Sequence, residues 1–290
     1  MRYSFLIILF LILACPLIAQ ETGNQKSPFK EGEKVTTIRN PLLEEVSGMA
    51  FSRKHPNLIY MHTDSGGEAA VYLLDSMGNE LGKLELEGLE NRDWEDIAVG
   101  PGPDGKSYVF VGEIGDNAGV HREIGVYRFP EPEKIESATI AVELARLEYP
   151  KGARDAETLM VDPWDGTVYI LSKRDSKNSL YSFEQDAFES PDKTELTSHF
   201  NLPFTMSTAG DISADGTQIL IKNYESVFYW KREKGQSLLE VLKKDPVVLP
   251  YVPEPQGEAI GFGQTGKTYY TISEKRFSID PVLYCYPAQK

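Results

Sequence analysis

Cysteine, tryptophan and histidine are scarce in this chain of 290 residues, at two, three and four copies. If Cys15 leaves with an N-terminal leader, Cys285 has no partner and a disulfide framework is excluded. The histidines, His55, His62, His121 and His199, are scattered, which argues against a histidine-based zinc centre. Basic residues are also in deficit, 30 Lys and Arg against 44 Asp and Glu, for a formal net charge of −14. Such a surface opposes nucleic acid and anionic membrane, whose phosphates attract clustered cations. It serves solubility and favours a cation or a cationic partner. There is no Gly-x-Ser-x-Gly elbow, His-Glu-x-x-His pair, phosphate-binding glycine loop or dinucleotide fingerprint. Beyond the first twenty residues no apolar run reaches the roughly 18 residues of a membrane helix, so no transmembrane helix is expected.

What stands at the N-terminus reads as a targeting segment. Arg2 precedes an apolar run from Phe5 to Ala14, the composition of a secretory leader, with cleavage expected after Ala19. The alternative is a lipoprotein anchored at Cys15, since Ile12-Leu13-Ala14-Cys15 is lipobox-like. Either way the product is exported, to the periplasm or beyond. Residues 20–32 are polar and charged and read as a disordered tether. Residues 33–290 are then left for one domain, enough chain to bury a substantial core.

Within that domain a short motif returns five times before an apolar stretch, at intervals of roughly 50–60 residues. It reads Ser47-Gly48-Met49, Glu95-Asp96-Ile97, Glu157-Thr158-Leu159, Gly210-Asp211-Ile212 and Glu258-Ala259-Ile260. Each copy is followed by two runs rich in aromatic and β-branched residues, such as Tyr108-Val109-Phe110-Val111 and Ile124-Gly125-Val126-Tyr127. Asp-Gly pairs at 104–105, 165–166 and 215–216, with Gly266-Lys267, mark the turn between the first two strands. A fourth strand follows in repeats one to four, over 83–89, 143–149, 194–202 and 246–251, but the fifth repeat ends without one. The run Val35-Thr36-Thr37-Ile38-Arg39 supplies it. The expected fold is therefore all-β, a single five-bladed β-propeller whose last blade is closed by the N-terminal strand. A six-bladed ring is the alternative.

Antiparallel strands put the start of strand one and the end of strand two on the same face, near the axis. The expected ligand-binding residues of that mouth are His62, Asp64, Arg154, Arg174 and Asn223, each present in one blade only. Blade two carries most carboxylates, in Asp93-Trp94-Glu95-Asp96 and Glu113-Ile114-Gly115-Asp116-Asn117. Asp93, Asp96, Glu113, Asp116 and Asn117 form an expected metal set, and Ca²⁺ is the cation that prefers such hard oxygen donors. Arg92, Arg122 or Arg154 folded over the cluster would neutralise it instead. The recurring Glu95, Glu157 and Glu258 are expected to accept backbone hydrogen bonds between blades and to serve the ring rather than a ligand.

The blocks Asp93–Ala98, Gly100–Gly105, Gly112–Asn117 and Val126–Pro132, with Asp155–Leu159 and Gly257–Ile260, resemble a family of uncharacterised exported bacterial β-propellers. More distantly the chain is similar to the phytase-like esterase propellers, a resemblance that implies an ester or phosphoester hydrolase. Its mixed Glu, Asn and Asp axial set is also similar to that of calcium lactonase propellers. Two functions follow as expectations. One is a binding or scaffolding propeller that holds a cation or small ligand at its mouth and leaves room for a protein partner. The other is a Ca²⁺-dependent hydrolase of esters, lactones or phosphoesters, with Glu113, Asp116 or His62 as general base.

Overall fold

The computed structural model describes residues 27–290. The expected leader and Cys15 lie outside the described residues. Five antiparallel sheets follow one another round a ring, so the propeller has five blades rather than six. The blades are built on strands 46–51, 58–63, 70–75 and 80–86; 94–101, 107–113, 123–130 and 143–148; 156–161, 168–172, 179–183 and 197–201; 207–212, 218–223, 227–231 and 247–249; and 257–262, 268–273, 282–287 and 33–37. Among the described residues no helix is long and apolar enough to cross a membrane.

Closure is as the sequence implies. Glu33 to Thr37 pair antiparallel with Val282 to Cys285, which joins the two ends of the chain in one blade. The tether is shorter than expected. Phe29 is buried against the rings of Tyr229, Tyr269 and Phe262, and the Lys30 amide donates to the Pro287 carbonyl at 2.8 Å. Residues 28–32 therefore belong to the last blade, and 20–26 lie outside the described residues. A lone phenylalanine in a polar stretch gives no periodic signal, which is why composition misplaces it.

The inner strands are buried on both faces because each alternates its side chains between two neighbouring blades. In strand 107–113, Val109 and Val111 pack with Tyr60, Leu73 and Trp94 at the boundary of blades one and two. Tyr108 and Phe110 point the other way and pack with Leu159, Ile170 and Phe188 of blade three. Every boundary round the ring is filled in this manner, giving five apolar clusters. Two short parallel strands also cross between blades at the rim. Residues 138–140 extend blade one beside 80–86, and 194–195 extend blade two beside 143–148. The expected single strand over 194–202 is thus split between two blades.

All five first strands carry a register shift at their second residue. The residues set out of register are Ser47, Glu95, Glu157, Thr208 and Glu258, every one of them buried. A bulge adds one residue to one strand and re-aims its side chain. In blade four the repeat therefore begins at Thr208, two positions before the expected Gly210. A shift of two preserves the face of every side chain, so alternation alone does not detect it.

Candidate functional site at the axial mouth

The re-aimed side chains form the innermost polar ring of one face. Ser47 donates from its hydroxyl to the Glu95 carbonyl at 2.6 Å, and Thr208 donates to the Gly257 carbonyl at 3.1 Å. Lys173 reaches in from blade three, pairs with Glu157 and donates to the Tyr224 hydroxyl at 2.8 Å. Tyr224 in turn donates to Glu258 at 2.8 Å. Burial opposes the Lys173 charge, but the Glu157 and Glu258 carboxylates prevail and raise its pKa. This half of the ring carries its own ammonium ion.

The other half does not. Asp64, Asp93 and Glu95 each offer a carboxylate oxygen within 4.8 Å of the other two. No basic side chain among the described residues forms an ion pair with any of the three. Burial, then the carboxylates of Asp64 and Asp155, pushes Asp93 up to about 6. Burial and the neighbouring Glu157, Asp64 and Asp93 carboxylates also raise Glu95. Across the mouth, burial and then Glu258, Asp64 and Glu45 push Glu274 up to about 8. Glycine 115 makes the room, since a Cβ there would lie 2.6 Å from Asp93 Cγ and collide with a Glu95 oxygen.

A second group, Glu95, Asp155 and Glu157, shares Glu95 and is deeper. It is already compensated. Lys173 holds Glu157, and the Arg174 guanidinium lies 2.6 Å from Asp155.

Of the five residues expected as metal ligands, only Asp93 lies in the uncompensated group. Asp96 is fully buried on the axis, where it accepts from the amides of Ile97 (2.9 Å), Leu159 (2.9 Å) and Gly210 (3.3 Å). Glu113 accepts from the Tyr127 hydroxyl at 3.0 Å and lies 3.5 Å from Arg92. Asp116 staples its own loop, accepting from the amides of Val120 (3.0 Å) and His121 (2.7 Å). Asn117 is exposed and accepts from Arg174.

The expected ligand-binding residues also scatter. Asp64 joins Asp93 and Glu95. Arg154 pairs with Asp175 at 3.0 Å, and Arg174 is spent on Asp155 and Asn117. Asn223 caps its hairpin, accepting from the amides of Glu225 (3.0 Å) and Ser226 (2.8 Å). His62 is sealed in the core, edge-on to Trp94, with Nδ1 3.1 Å from the Thr63 carbonyl. Burial pushes its pKa down to about 4, so it is neutral at physiological pH.

The ring-holding role expected of Glu95, Glu157 and Glu258 falls instead to Asp96 and Asp211. Asp211 accepts from the amides of Ile212 (2.8 Å) and Phe262 (2.7 Å). Arg53 lies 3.7 Å from it and donates to the Ile212 carbonyl at 2.8 Å. The recurring glutamates face the mouth.

Fold and site together define a five-bladed β-propeller with an acidic axial mouth. No family model matches the chain, and no curated protein matches it. Among solved structures it is similar to hydrazine synthase of Kuenenia stuttgartiensis, at 10% identity and a TM-score of 0.45 over 86% of this chain and 97% of that one. It is similar also to the WD40 repeats of RRP9, at 9% identity and a TM-score of 0.45 over 91% of this chain and 99% of that one. Likeness at this level says nothing of ligand, partner or activity.

Proposed function

We propose that the protein is an exported binding propeller that holds one Ca²⁺ at its axial mouth on Asp64, Asp93 and Glu95. The observation that carries the reading is the absence of a basic partner for these three carboxylates among the described residues, while their neighbours Asp155, Glu157 and Glu113 each have one. Three like charges within 4.8 Å repel unless protonated or bridged by a cation. Carboxylate oxygens suit Ca²⁺, which takes about six to eight oxygen ligands in all, waters and carbonyls included. The three carboxylates would hold the ion, and its remaining positions would be open to water or to an oxygen of a small ligand. The leader-like N-terminus and the resemblance to exported bacterial propellers support a location outside the cytoplasm, where sites of about 10⁻⁴–10⁻³ M are filled. The binding role has this support. A hydrolase has less, because Glu113 and Asp116 are engaged in hydrogen bonds and His62 is sealed off.

Equilibrium dialysis with metal analysis tests the reading. One calcium per chain is expected, lost in Asp93→Asn and in Glu95→Gln. A chain that takes up no calcium at millimolar concentration, or variants that bind it as the parent does, would defeat it.

A further inference from the structure

The loop from Glu274 to Pro281 joins strand 268–273 to strand 282–287 on the mouth face. Its tip is a two-residue hairpin. The Arg276 amide donates to the Ile279 carbonyl at 3.3 Å, and the Ile279 amide donates to the Arg276 carbonyl at 2.9 Å. Between them Phe277 and Ser278 have φ of 52° and 61°. Such a turn favours Asn-Gly, because the left-handed region strains most side-chain-bearing residues and bulky ones above all. The base of the loop is tied down. The Lys275 amide donates to the Glu44 carbonyl at 2.6 Å, and the Ile38 amide donates to the Pro281 carbonyl at 2.8 Å.

The strained tip carries an aromatic ring into water. Phe277 is 81% exposed, more than any other large apolar side chain among the described residues, and Ile279 is 50% exposed. Scattered exposed apolar side chains are ordinary. One held out by a backbone that costs energy points to a use. Beside the tip lies a groove of about 240 Å³, walled by Pro253, Pro255, Ile279, Val282 and Tyr284. A cavity of about 150 Å³ is room for a benzene ring. Phe277 does not line its own groove. Of the two acids there, Glu254 is buried and accepts from the Tyr251 and Thr271 hydroxyls, both at 2.8 Å, whereas Asp280 stands at the surface.

We propose that the chain forms a two-fold dimer in which Phe277 of each copy enters the groove of the other. Knob and hole sit on one loop, so a single two-fold axis satisfies both at once. The charges agree. Arg276 beside the knob has no ion pair among the described residues, and its guanidinium lies 5.8 Å from the centre of the Phe277 ring. In the dimer it meets Asp280 of the other copy, whose own partner, Lys275, is 3.4 Å away and shared with Glu44. An anionic membrane is a poorer occupant for a chain of net charge −14. A foreign protein would have to repeat the knob and the hole that this chain already has. The interface does not depend on the mouth being a calcium site.

Sedimentation velocity of the chain from micromolar to millimolar concentration, in calcium and in chelator, tests the proposal. A concentration-dependent dimer is expected, in the same proportion in both. Phe277→Asn/Ser278→Gly installs the pair that the turn favours and removes the ring. It should weaken dimerisation at least tenfold, while the melting temperature of the dilute protein stays level or rises. Arg276→Glu sets like charges together and should also weaken dimerisation at least tenfold. Flotation with phosphatidylcholine vesicles reads a lipid surface as the other occupant. The proposal is overturned if the parent stays monomeric, if it forms trimers or open chains, or if the dimer requires calcium. It is overturned equally if either variant associates as the parent does, if Phe277→Asn/Ser278→Gly lowers the melting temperature, or if Phe277 carries the chain onto vesicles instead.

Discussion

The carboxylate of Asp96 in the second blade accepts a hydrogen bond from the amide of Gly210 in the fourth, 3.3 Å away across the axis. The same oxygen accepts from Leu159 in the third at 2.9 Å, so one side chain ties three blades at their narrowest point. Asp96→Ala should therefore destabilise the fold by about 1–3 kcal/mol for each amide left unpaired. Urea denaturation will read the loss. Calcium affinity per folded molecule should remain, because Asp96 is not among the three ligands proposed above.

Glu95 and Asp96 are adjacent, yet the bulge assigns them opposite duties. Glu95→Gln should leave urea stability nearly unchanged in the metal-free protein, or raise it slightly, since it removes one of several crowded negative charges. Calcium should no longer raise its melting temperature, whereas saturating calcium should raise that of the parent by mass action.

Room at the site is set by a residue that carries no charge. Gly115→Ala places a methyl group against Asp93 and Glu95 and should weaken calcium binding at least tenfold. Metal-free stability should change much less, because Asp93 is half-buried and free to turn away. Comparing titration with thermal melts separates the two effects.

Acid and calcium should act in opposition. The folded pKa values of Asp93 (about 6) and Glu274 (about 8) lie above ordinary carboxylate values. Each protonated acid therefore favours the folded state below its unfolded pKa, and that contribution is lost as pH rises through the folded value. The metal-free protein should lose stability between about pH 5 and pH 8. Calcium needs Asp93 and Glu95 deprotonated, so the rise in melting temperature it produces should grow as pH rises through the folded value of Asp93. Melts in chelator and in calcium across that range give both slopes.

Truncation will locate the true start of the domain. Removing residues up to 26 should be neutral. Phe29→Ala should cost about 3–5 kcal/mol, the usual loss for an aromatic side chain taken from a packed core. Removal through Thr37 strips the partner from strand 282–287 and should give aggregation, detectable by light scattering.

Sequence alone carried much of this architecture. Alternation in runs such as Tyr108–Val111, and Asp-Gly turns at equivalent places, place strands because a pleated chain must bury every second side chain on each face. The mouth was harder to read. Recurrence of Glu95, Glu157 and Glu258 points to a shared structural duty, but a bulge at each alters which way it points, and no residue type announces a bulge. Blade two drew attention because its acids are dense. Charge density does not show which acids already have partners, and Glu113 and Asp116 find theirs in Tyr127 and in the amides of Val120 and His121. Asp64 and Asp93 become neighbours only once blades one and two have packed together.

That closure sets an order of events in the making of the molecule. Strand 33–37 emerges among the first residues of the domain, but the strand it pairs with, 282–287, is among the last. Until strand 282–287 has been made the first strand has no edge to join, and both flanks of the growing arc lie open. A chain of this design completes its ring late and all at once, which makes folding slow and leaves the nascent arc exposed to aggregation.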